Sequence, residues 1–275
     1  GGAHVRRSIC IRGKKFRRCS TLRNTGTNLH EQFWTPCMYM KSIITKLKNR
    51  IISIFGGGFS SRDYWANRYE SGGNSGPGSY GDLAKFKAST LNEFVRSKGI
   101  TSVIEFGSGD GNQLTLAEYP RYVGYDVSSV AVKTCKELFK SDATKKFFLA
   151  SKYDGRRADL TMSLDVIFHL TEDRVFEEYM HRLFDASTRF VIIYSSNQDE
   201  PIEPVSTHVR HRRFTTWVEQ HISPQWVLVE KIANAHPYSG DYKSTSFSDF
   251  YIHEYVEHSE KPETTIAYDV NGTAR

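Results

Sequence analysis

From residue 60 onward, apolar positions alternate between helical spacing and short continuous runs. Spacings of three and four residues over 83–95, 129–140 and 175–184 predict three helices. Among and after these helices lie apolar runs typical of buried strands, namely TSVIEF, RYVGYDV, KKFFLAS, LTMSLDV and RFVIIYSS. Two further runs, QWVLVEKIA and FSDFYIHEYV, follow with no helix-length pattern between them.

This order of elements predicts an α/β domain. Strands that alternate with helices favour a mostly parallel sheet, and the last two runs are spaced like an antiparallel pair at its edge. The third helix is expected to begin at Thr171, with Glu172 and Asp173 in its first turn.

Residues 1–55 differ in charge from the rest of the chain. They hold 12 Lys and Arg residues and one acid, Glu31, for a net charge of +11. The other 220 residues hold 25 basic and 30 acidic residues, for a net charge of −5. Because the basic charge lies outside the main body, we do not infer nucleic-acid binding from the overall charge of +6.

The basic extension, 1–55, contains one patterned segment. Apolar residues at helical spacing predict an amphipathic helix over 41–55, which packs on the body or on a partner chain, or lies on an anionic membrane surface. Residues 1–39 show no apolar period and fit a linker, a fragment of a larger protein, or residues partly added for expression. The glycines of GGGFSS predict a hinge, with the main domain at 60–275.

The composition narrows the class of protein. With 39% apolar and 25% charged residues, the chain of 275 residues is typical of a soluble globular protein. No apolar run approaches the roughly 20 residues that span a bilayer, and the basic start lacks the apolar segment of a signal peptide. The four cysteines have no metal-ligand spacing, which favours a reducing compartment. We therefore expect a cytoplasmic protein.

The segment SVIEFGSGDGNQL, residues 102–114, places three glycines behind the first predicted strand. Ligands of open α/β sheets bind beyond the carboxyl ends of the strands, so this loop is a candidate ligand site. A dinucleotide fingerprint needs glycine at 107, 109 and 112, but residue 112 is Asn and the third glycine is Gly111. The sequence also lacks the Gly-Lys-Ser/Thr of a phosphate-binding P-loop.

EFGSGDG resembles the first motif of class I S-adenosylmethionine-dependent methyltransferases, acid-x-Gly-x-Gly-x-Gly. Asp126 stands 21 residues after Glu105, at the end of the next strand, where that family places a second acid. LTMSLDVIFHL and the terminal strand pair are similar as well, so the resemblance covers about residues 64–256. It implies a Rossmann-like, seven-stranded sheet with helices on both faces. It also implies S-adenosylmethionine as cofactor and S-adenosylhomocysteine as product.

The resemblance implies roles for the residues that match the cofactor motifs. Asp126 would bind both ribose hydroxyls, and Val127 would lie against the adenine. Ser151, after the third strand, would border the adenine edge. The loop that approaches the methionine part of the cofactor would comprise Glu105, Gly107, Ser108 and Gly109.

The aromatic and basic segment before the first strand, residues 62–88, is similar to a family feature that folds over the cofactor. The resemblance implies that Arg68 binds the methionine carboxylate and that Tyr64 and Tyr80 form a lid. An ordinary aromatic core around Tyr64, Trp65 and Tyr69 fits the same residues.

Two kinds of methyl acceptor are excluded. Methylation at cytosine C5 needs a nucleophilic cysteine near the fourth or sixth strand, and the body's only cysteine, Cys135, lies on a predicted helix. Methylation of purine amino groups usually goes with an Asn/Asp-Pro-Pro-aromatic motif at the fourth strand, where this chain has DVIF. A small molecule or a glycan remains.

Two residues of SLDVIFHL are expected beside the reacting sulfonium. His169 suits a general base because its ordinary pKa lies near neutrality, which predicts a rate that rises with pH there. A structural role for His169 is the alternative. Asp165 could pair with the base, bind the acceptor or ligate a metal. Asn197 and Asp199 lack the adjacent Asp-Asn pair of a catechol-type magnesium site, so we expect no metal.

STHVRHRRF, residues 206–214, concentrates hydrogen-bond donors after the fifth strand. As an acceptor loop it would suit an oxygen-rich substrate such as a sugar or a sugar attached to a phosphate, and the alternative is a solvated basic loop. The acceptor-binding candidates are His208, Arg210, His211 and Arg212.

The segments GSYGDLAKFKA, DVIFHL, IIYSSN and HVRHR also resemble methyltransferases of glycan biosynthesis, including domains fused to glycosyltransferases in bacteria and large algal viruses. The sequence thus predicts O-methylation of a sugar hydroxyl on a glycan or glycoconjugate, and a nucleic-acid partner is not expected. A protein or RNA methyltransferase that uses the basic extension stays open as an alternative, and so does a module that binds the cofactor without catalysis. A membrane surface and a fused glycosyltransferase also stay open as partners of that extension.

Overall fold

The computed structural model describes residues 59–202 and 206–257, which form a seven-stranded sheet with helices packed on it. The strands are β1 Val103–Phe106, β2 Tyr122–Asp126, β3 Lys145–Leu149, β4 Ala158–Leu164, β5 Ser187–Ser195, β6 Trp226–Ile232 and β7 Asp249–Tyr255. The α-helices of this part of the chain are α1 Ser61–Glu70, α2 Gly81–Ser97, α3 Ser129–Leu138, α4 Asp173–Asp185 and α5 Phe214–His221.

The strand order across the sheet is β3-β2-β1-β4-β5-β7-β6. Strands β1 to β5 run parallel, and β7 lies antiparallel between β5 and β6. The predicted Rossmann-like sheet, mostly parallel with an antiparallel C-terminal pair, is therefore confirmed. After β3 the chain returns to the centre of the sheet, so the order reverses between β1 and β4. Ligands of such sheets bind at this switch point, beyond the carboxyl ends of the strands.

Helices cover both faces of the sheet because successive strand residues point to opposite sides. On β1, Val103 packs into one hydrophobic core and Ile104 into the other. The first core joins the sheet to α2 and to α3, and Cys135 on α3 is fully buried in it. The second joins it to α4 and α5 through Met180 and Phe214. Two cores fix the sheet from both sides and leave its carboxyl edge for a site.

Helix α1 is absent from the apolar pattern because its aromatic and charged residues are interspersed and form no stripe. Its N-cap is Ser60, whose hydroxyl accepts a hydrogen bond from the Asp63 amide. The amide of Ser61 donates to Oε1 of Glu172 at 2.8 Å. Glu172 is extended and caps α4, so that helix begins at Asp173, and the predicted start at Thr171 is wrong by two residues. The loop between β4 and α4 thereby fixes the first turn of α1.

Several predictions fall on residues that the structure does not describe. The extension 1–55 and its helix at 41–55 lie there, so the domain boundary at residue 60 stays a prediction. Across 59–202 and 206–257, no helix combines the length and the apolar character needed to cross a bilayer.

Candidate active site

The glycine loop behind β1 depends on two glycines in left-handed backbone conformations. Gly107 has a φ of 93° and Gly109 a φ of 58°, which residues with a Cβ rarely adopt. A Cβ on Gly107 would overlap the side chain of Val166, and one on Gly109 would overlap Oγ of Ser75. The loop is therefore packed between the end of β4 and the segment that follows α1, with its backbone exposed only toward the cleft.

Asp126, the last residue of β2, holds the far side of this loop. Its carboxylate accepts hydrogen bonds from the Gly109 amide at 2.9 Å and the Ser128 amide at 2.8 Å. Burial raises the pKa of Asp126 to about 6, although these amide bonds oppose the shift. The side chain is thus an ionised, pre-oriented acceptor at neutral pH, poised for hydroxyl donors.

Glu105, the acid before the glycines, is buried on β1 and accepts a hydrogen bond from the Tyr122 hydroxyl at 2.6 Å. Burial raises the pKa of Glu105 to about 7, against the effects of the Tyr122 bond and the Lys87 charge. Beside it in the loop, Ser108 has a buried hydroxyl without a hydrogen-bond partner among the described residues. An orphaned polar atom here fits a site that a polar ligand completes.

The segment 71–79 docks on the glycine loop through a reciprocal pair of hydrogen bonds. The Ser75 amide donates to Oδ2 of Asp110 at 2.9 Å, and the Asp110 amide donates to Oγ of Ser75 at 2.9 Å. The Tyr69 hydroxyl lies 2.9 Å from the same Oγ, and the Tyr80 hydroxyl donates to Asp110 at 2.7 Å. Tyr80 therefore fastens this segment and does not line either cleft described below.

Asp165, directly after β4, has the only left-handed backbone among the described non-glycine residues, with a φ of 57°. Its Oδ2 pairs with Nζ of Lys87 at 2.8 Å, and its Oδ1 accepts from the Ser248 hydroxyl at 2.9 Å. Lys87 is only 1% exposed, and its ammonium also lies 5.2 Å from the ring centroid of Tyr194. A strained carboxylate held from both sides by buried partners is typical of a functional position.

His169 lies four residues further on, at the end of a 3₁₀ turn. Its Nδ1 is 2.9 Å from the carbonyl oxygen of His208, so Nδ1 carries the proton and Nε2 is left as the acceptor. The ring stacks at 5.4 Å on that of His208 and meets Trp65 edge-on at 4.7 Å. Burial lowers the pKa of His169 to about 3, with the charges of His208 and Arg68 acting in the same direction. The imidazole is therefore neutral at physiological pH.

Two clefts meet at these residues. The first cleft, at the switch point, runs past the glycine loop and reaches α4; its lining includes Glu105, Gly107, Ser108, Gly109, Asp126, Val127 and Ala150. The second cleft lies between α1, the loop after β5 and the turn between β6 and β7; its lining includes Tyr64, Arg68, Phe168, His208, His211, Tyr238 and Phe247. Both clefts are lined by Trp65, Ser75, Ser79, Asp165 and His169, which we call the shared wall.

Four of the residues predicted to hold the cofactor do not line the first cleft. Tyr64 and Arg68 line the second cleft only, where Tyr64 stacks on His208 at 4.6 Å. Tyr80 binds Asp110 as described, and Ser151 is exposed outside both clefts, next to Ala150. The six predicted residues from the glycine loop and β2 do line the first cleft.

Only some of the predicted acceptor-binding residues of the loop 206–214 line the second cleft. His208 and His211 line the second cleft, but Arg210 and Arg212 turn away from it. Both guanidinium groups pair with Asp173 at the start of α4, at 2.8 and 3.1 Å, and donate to the carbonyl oxygen of Thr171. Asp173 offsets one of the two charges and both side chains are tied to the start of α4, so these two arginines fasten the loop to α4 and lie outside the second cleft.

A metal finds no ready ligand set in the described part of the chain, where no group of three His, Cys, Asp or Glu side chains converges. Asn197 binds Thr215, and Asp199 accepts from the Arg213 amide. Both residues therefore serve the start of α5.

Sequence reasoning missed the partner of Asp165. Lys87 lies four residues after Leu83 and four before Leu91, in the apolar stripe of α2. A lysine in such a stripe is itself a signal, because a buried ammonium requires a counter-ion. Ser75 and Asp110, by contrast, are ordinary loop residues whose pairing only the fold brings about.

No family model matches the sequence, and neither does any curated protein. Among solved structures, magnesium protoporphyrin IX methyltransferase from Synechocystis with bound S-adenosylmethionine is similar, with a TM-score of 0.51 and 13% identity over 72% of this chain and 98% of that one. The N-methyltransferase NodS from Bradyrhizobium japonicum, with bound S-adenosylhomocysteine, gives a TM-score of 0.50 and 13% identity over 63% of this chain and 87% of that one. The likeness establishes the fold: this chain folds as these two methyltransferases do.

Proposed function

We propose that this chain is an S-adenosylmethionine-dependent methyltransferase that methylates a sugar hydroxyl of a glycan or glycoconjugate. The shared wall is the observation that carries the proposal. A methyl donor in the first cleft and an acceptor in the second would meet where Asp165 and His169 line both. Group transfer requires such a meeting point, because donor and acceptor atoms must approach to about 3–3.5 Å.

The first cleft suits S-adenosylmethionine, which supplies an electrophilic methyl group on sulfur. Asp126 would accept hydrogen bonds from the ribose hydroxyls, since its carboxylate is ionised and already fixed by two amides. Val127, which is 37% exposed at the mouth of the cleft, would cover the adenine. The unpartnered hydroxyl of Ser108 and the glycine backbone offer polar contacts to the amino-acid end.

The second cleft supports a sugar as acceptor because it combines aromatic faces with hydrogen-bonding side chains. The apolar C–H face of a sugar ring packs on aromatic rings, while its hydroxyls require polar partners at the rim. Rings and polar groups both line this cleft: Tyr64, Trp65, Phe168, Phe247, Asn74, Ser206 and Thr245.

His169 would remove the proton from the acceptor hydroxyl. Its Nε2 is an acceptor because Nδ1 donates to the His208 carbonyl, which also fixes the plane of the ring. Asp165 lies on the same wall and would orient the acceptor or the imidazolium that forms, while Lys87 and Ser248 hold its two oxygens. His169 would thus provide the base, and Asp165 an orienting carboxylate, at the wall that the two clefts share.

The direct test is methyl transfer from radiolabelled S-adenosylmethionine to panels of sugars, glycolipids and nucleotide sugars, with RNA and protein substrates assayed in parallel. We expect label in the carbohydrate panel, in a linkage stable to mild base as an ether is. Transfer to RNA or protein alone, lost on removal of residues 1–55, would replace this proposal by the alternative that uses the basic extension.

Cofactor affinity should depend on Asp126. Asp126→Asn keeps the size of the side chain but removes the charge that accepts hydrogen bonds from the ribose hydroxyls. The binding free energy of S-adenosylhomocysteine should therefore weaken by about 1–3 kcal/mol. Calorimetry measures this change, and the exposed Asp154→Asn, outside both clefts, is the matched control. Equal affinities for wild type and Asp126→Asn would remove Asp126 from the ribose site.

Deletion of residues 1–55 should leave cofactor binding intact. Every residue that lines the first cleft lies between Ser61 and Arg182, so no contact to the cofactor is lost. Calorimetry with S-adenosylhomocysteine on the truncated protein checks this result, with circular dichroism as the control for folding. A folded truncation with at least tenfold weaker binding would show that the extension belongs to the cofactor site.

A further inference from the structure

The second cleft carries more positive than negative charge. Arg68 and Lys243 line it, and Asp165 is the one carboxylate among its described lining residues. That carboxylate already pairs with Lys87, which lines the first cleft. Neither Arg68 nor Lys243 forms an ion pair within 59–202 and 206–257. The cleft therefore offers two cations: Arg68 has no carboxylate partner among these residues, and Lys243 lies near Asp241 without forming an ion pair with it.

Arg68 is held in place and yet has free donors. Its Nε donates to the carbonyl oxygen of Asn74 at 2.7 Å, and its guanidinium carbon lies 5.4 Å from the centroid of the Trp65 ring. These contacts fix the guanidinium plane at the shared wall, but they use one of its five N–H donors. A guanidinium with a free fork binds carboxylate or phosphate oxygens in pairs.

The charge of Arg68 reaches the residues assigned to the reaction. Burial, and after it the Arg68 charge, lower the pKa of His208, whose ring stacks on His169. An anion on Arg68 would thus sit beside the histidine stack, within one sugar ring of the shared wall. Arg210 and Arg212, the cations that the sequence favoured, pair with Asp173 outside this cleft and cannot provide this charge.

We infer that the acceptor is an anionic sugar, whose phosphate or carboxylate is bound by Arg68 with Lys243 as a second cation. The inference rests on the proposed function and narrows its substrate class to glycosyl phosphates, nucleotide sugars and uronic acids. Tyr238 and Phe247 line the cleft near Lys243 in sequence and supply aromatic surface for the part of the acceptor beyond the anion.

Binding of a simple anion tests the site without a known acceptor. Inorganic pyrophosphate is titrated by calorimetry into the full chain saturated with S-adenosylhomocysteine, so that the first cleft is filled. We expect Arg68→Gln to weaken pyrophosphate binding about 10- to 100-fold, as loss of charged hydrogen bonds does. Arg68→Lys should recover part of it. The matched control is Arg174→Gln, an exposed arginine on α4 that lines neither cleft. Equal pyrophosphate affinity in wild type and Arg68→Gln overturns the inference.

Turnover tests the same inference on the acceptor itself. A methyl glycoside, the corresponding glycosyl 1-phosphate, its nucleotide sugar and its uronic acid are compared as acceptors for wild type and Arg68→Gln. We expect KM to rise about 10- to 100-fold for the charged acceptors, with the KM for the neutral glycoside and the Kd for S-adenosylhomocysteine changed less than twofold. The charged acceptor that the wild type prefers identifies the source of the anion.

The possible failures are distinguishable. If Arg68→Gln weakens S-adenosylhomocysteine binding and leaves every acceptor KM unchanged, Arg68 serves the methionine carboxylate and the inference is wrong, while the proposed function stands. A wild type that prefers the neutral glycoside also overturns the inference alone. A wild type that binds no S-adenosylhomocysteine overturns the proposed function.

Discussion

Replacing Asp165 with asparagine is expected to lower the free energy of unfolding by about 3–5 kcal/mol, the usual cost of removing one partner from a buried ion pair. The ammonium of Lys87 is 1% exposed and has its counter-ion in Asp165 at 2.8 Å. Asparagine keeps an oxygen for the Ser248 hydroxyl, and it tolerates the left-handed backbone at this position. Loss of the charge is therefore the main change, and urea unfolding at pH 7 without ligand measures it.

A second substitution separates the ion pair from the rest of the site. In the double variant Lys87→Met with Asp165→Asn, no unpaired ammonium remains, and most of the lost stability should return. Asp165→Ala should be about 1–2 kcal/mol less stable than Asp165→Asn, because alanine pays the full cost of a φ of 57°. An Asp165→Asn protein within 1 kcal/mol of the wild type would show that the pair contributes little.

The double variant also bears on function, because it would be stable and still lack the orienting carboxylate. Asp165 occupies a strained conformation at the junction of the two clefts, and the fold holds it there with Lys87 from α2 and Ser248 before β7. A strained conformation that is held in place by the surrounding structure is typical of functional positions. A stable protein with full activity would assign this pair to folding alone.

The sheet could be predicted from the sequence because its seven strands and the helices α2, α3 and α4 each have a recognisable apolar pattern. The alternation of helical stripes and apolar runs is a local property, and it gave the seven strands and the antiparallel end. The order of the strands follows from long-range pairing, such as that of β1 with β4, which no local pattern contains. Helix α1 was missed because it has no apolar stripe, and a contact that holds its first turn comes from Glu172, 111 residues away.

Within the site, the structure brings together those predicted residues whose positions follow from neighbouring strands. The glycine loop and the acid at the end of β2 line one cleft because β1 and β2 are parallel neighbours, whose carboxyl ends lie at the same edge of the sheet. Arg68 and Tyr64 line the second cleft instead, because the position of α1 depends on distant residues such as Glu172, which its own sequence does not reveal.

The basic loop shows how a charge pattern misleads. Four donors in five residues suggested that this loop binds the acceptor, but Asp173, about 40 residues earlier, pairs with both Arg210 and Arg212. A run of charges reveals which groups are available, and only the fold reveals which are already paired. The same consideration, applied in reverse, draws attention to Arg68, whose charge remains unpaired within the described residues.

Burial changes the pH dependence that the sequence led us to expect. A free histidine would give a rate that rises near neutrality, but the pKa of His169 is lowered to about 3. A base acts in its deprotonated form, so the ionisation of His169 should leave kcat at saturating cofactor unchanged from pH 5 to pH 8. Cofactor affinity should instead weaken below about pH 6, where Asp126 takes up a proton. In the unfolded chain this histidine titrates near 6.5, so the unfolded state binds more protons between pH 6.5 and 3. Stability should therefore fall with acid in that window, and less steeply in His169→Gln.

His169→Gln is expected to lower kcat about 10²- to 10⁴-fold, the range for loss of a positioned general base. Glutamine can still donate to the His208 carbonyl and fill much of the space, so the Kd for S-adenosylhomocysteine should change less than twofold. The matched control is His221→Gln, an exposed histidine on α5 outside both clefts. Initial rates on the acceptor found by the methyl-transfer screen, with calorimetry on the cofactor, measure both quantities.

The possible results for His169→Gln assign its role, because each depends on a different contact. A large loss of kcat with unchanged cofactor affinity requires Nε2, the ring atom that is left as an acceptor. Full activity would move the base to Asp165 or to His208, the other groups of the stack and the wall. Loss of cofactor binding would mean that the ring mainly packs Trp65 and Phe168 into place. A wild-type rate that rises through pH 6–7, absent from the variant, would show that the imidazole titrates as a solvated group, so the acceptor would have to open the wall before proton transfer.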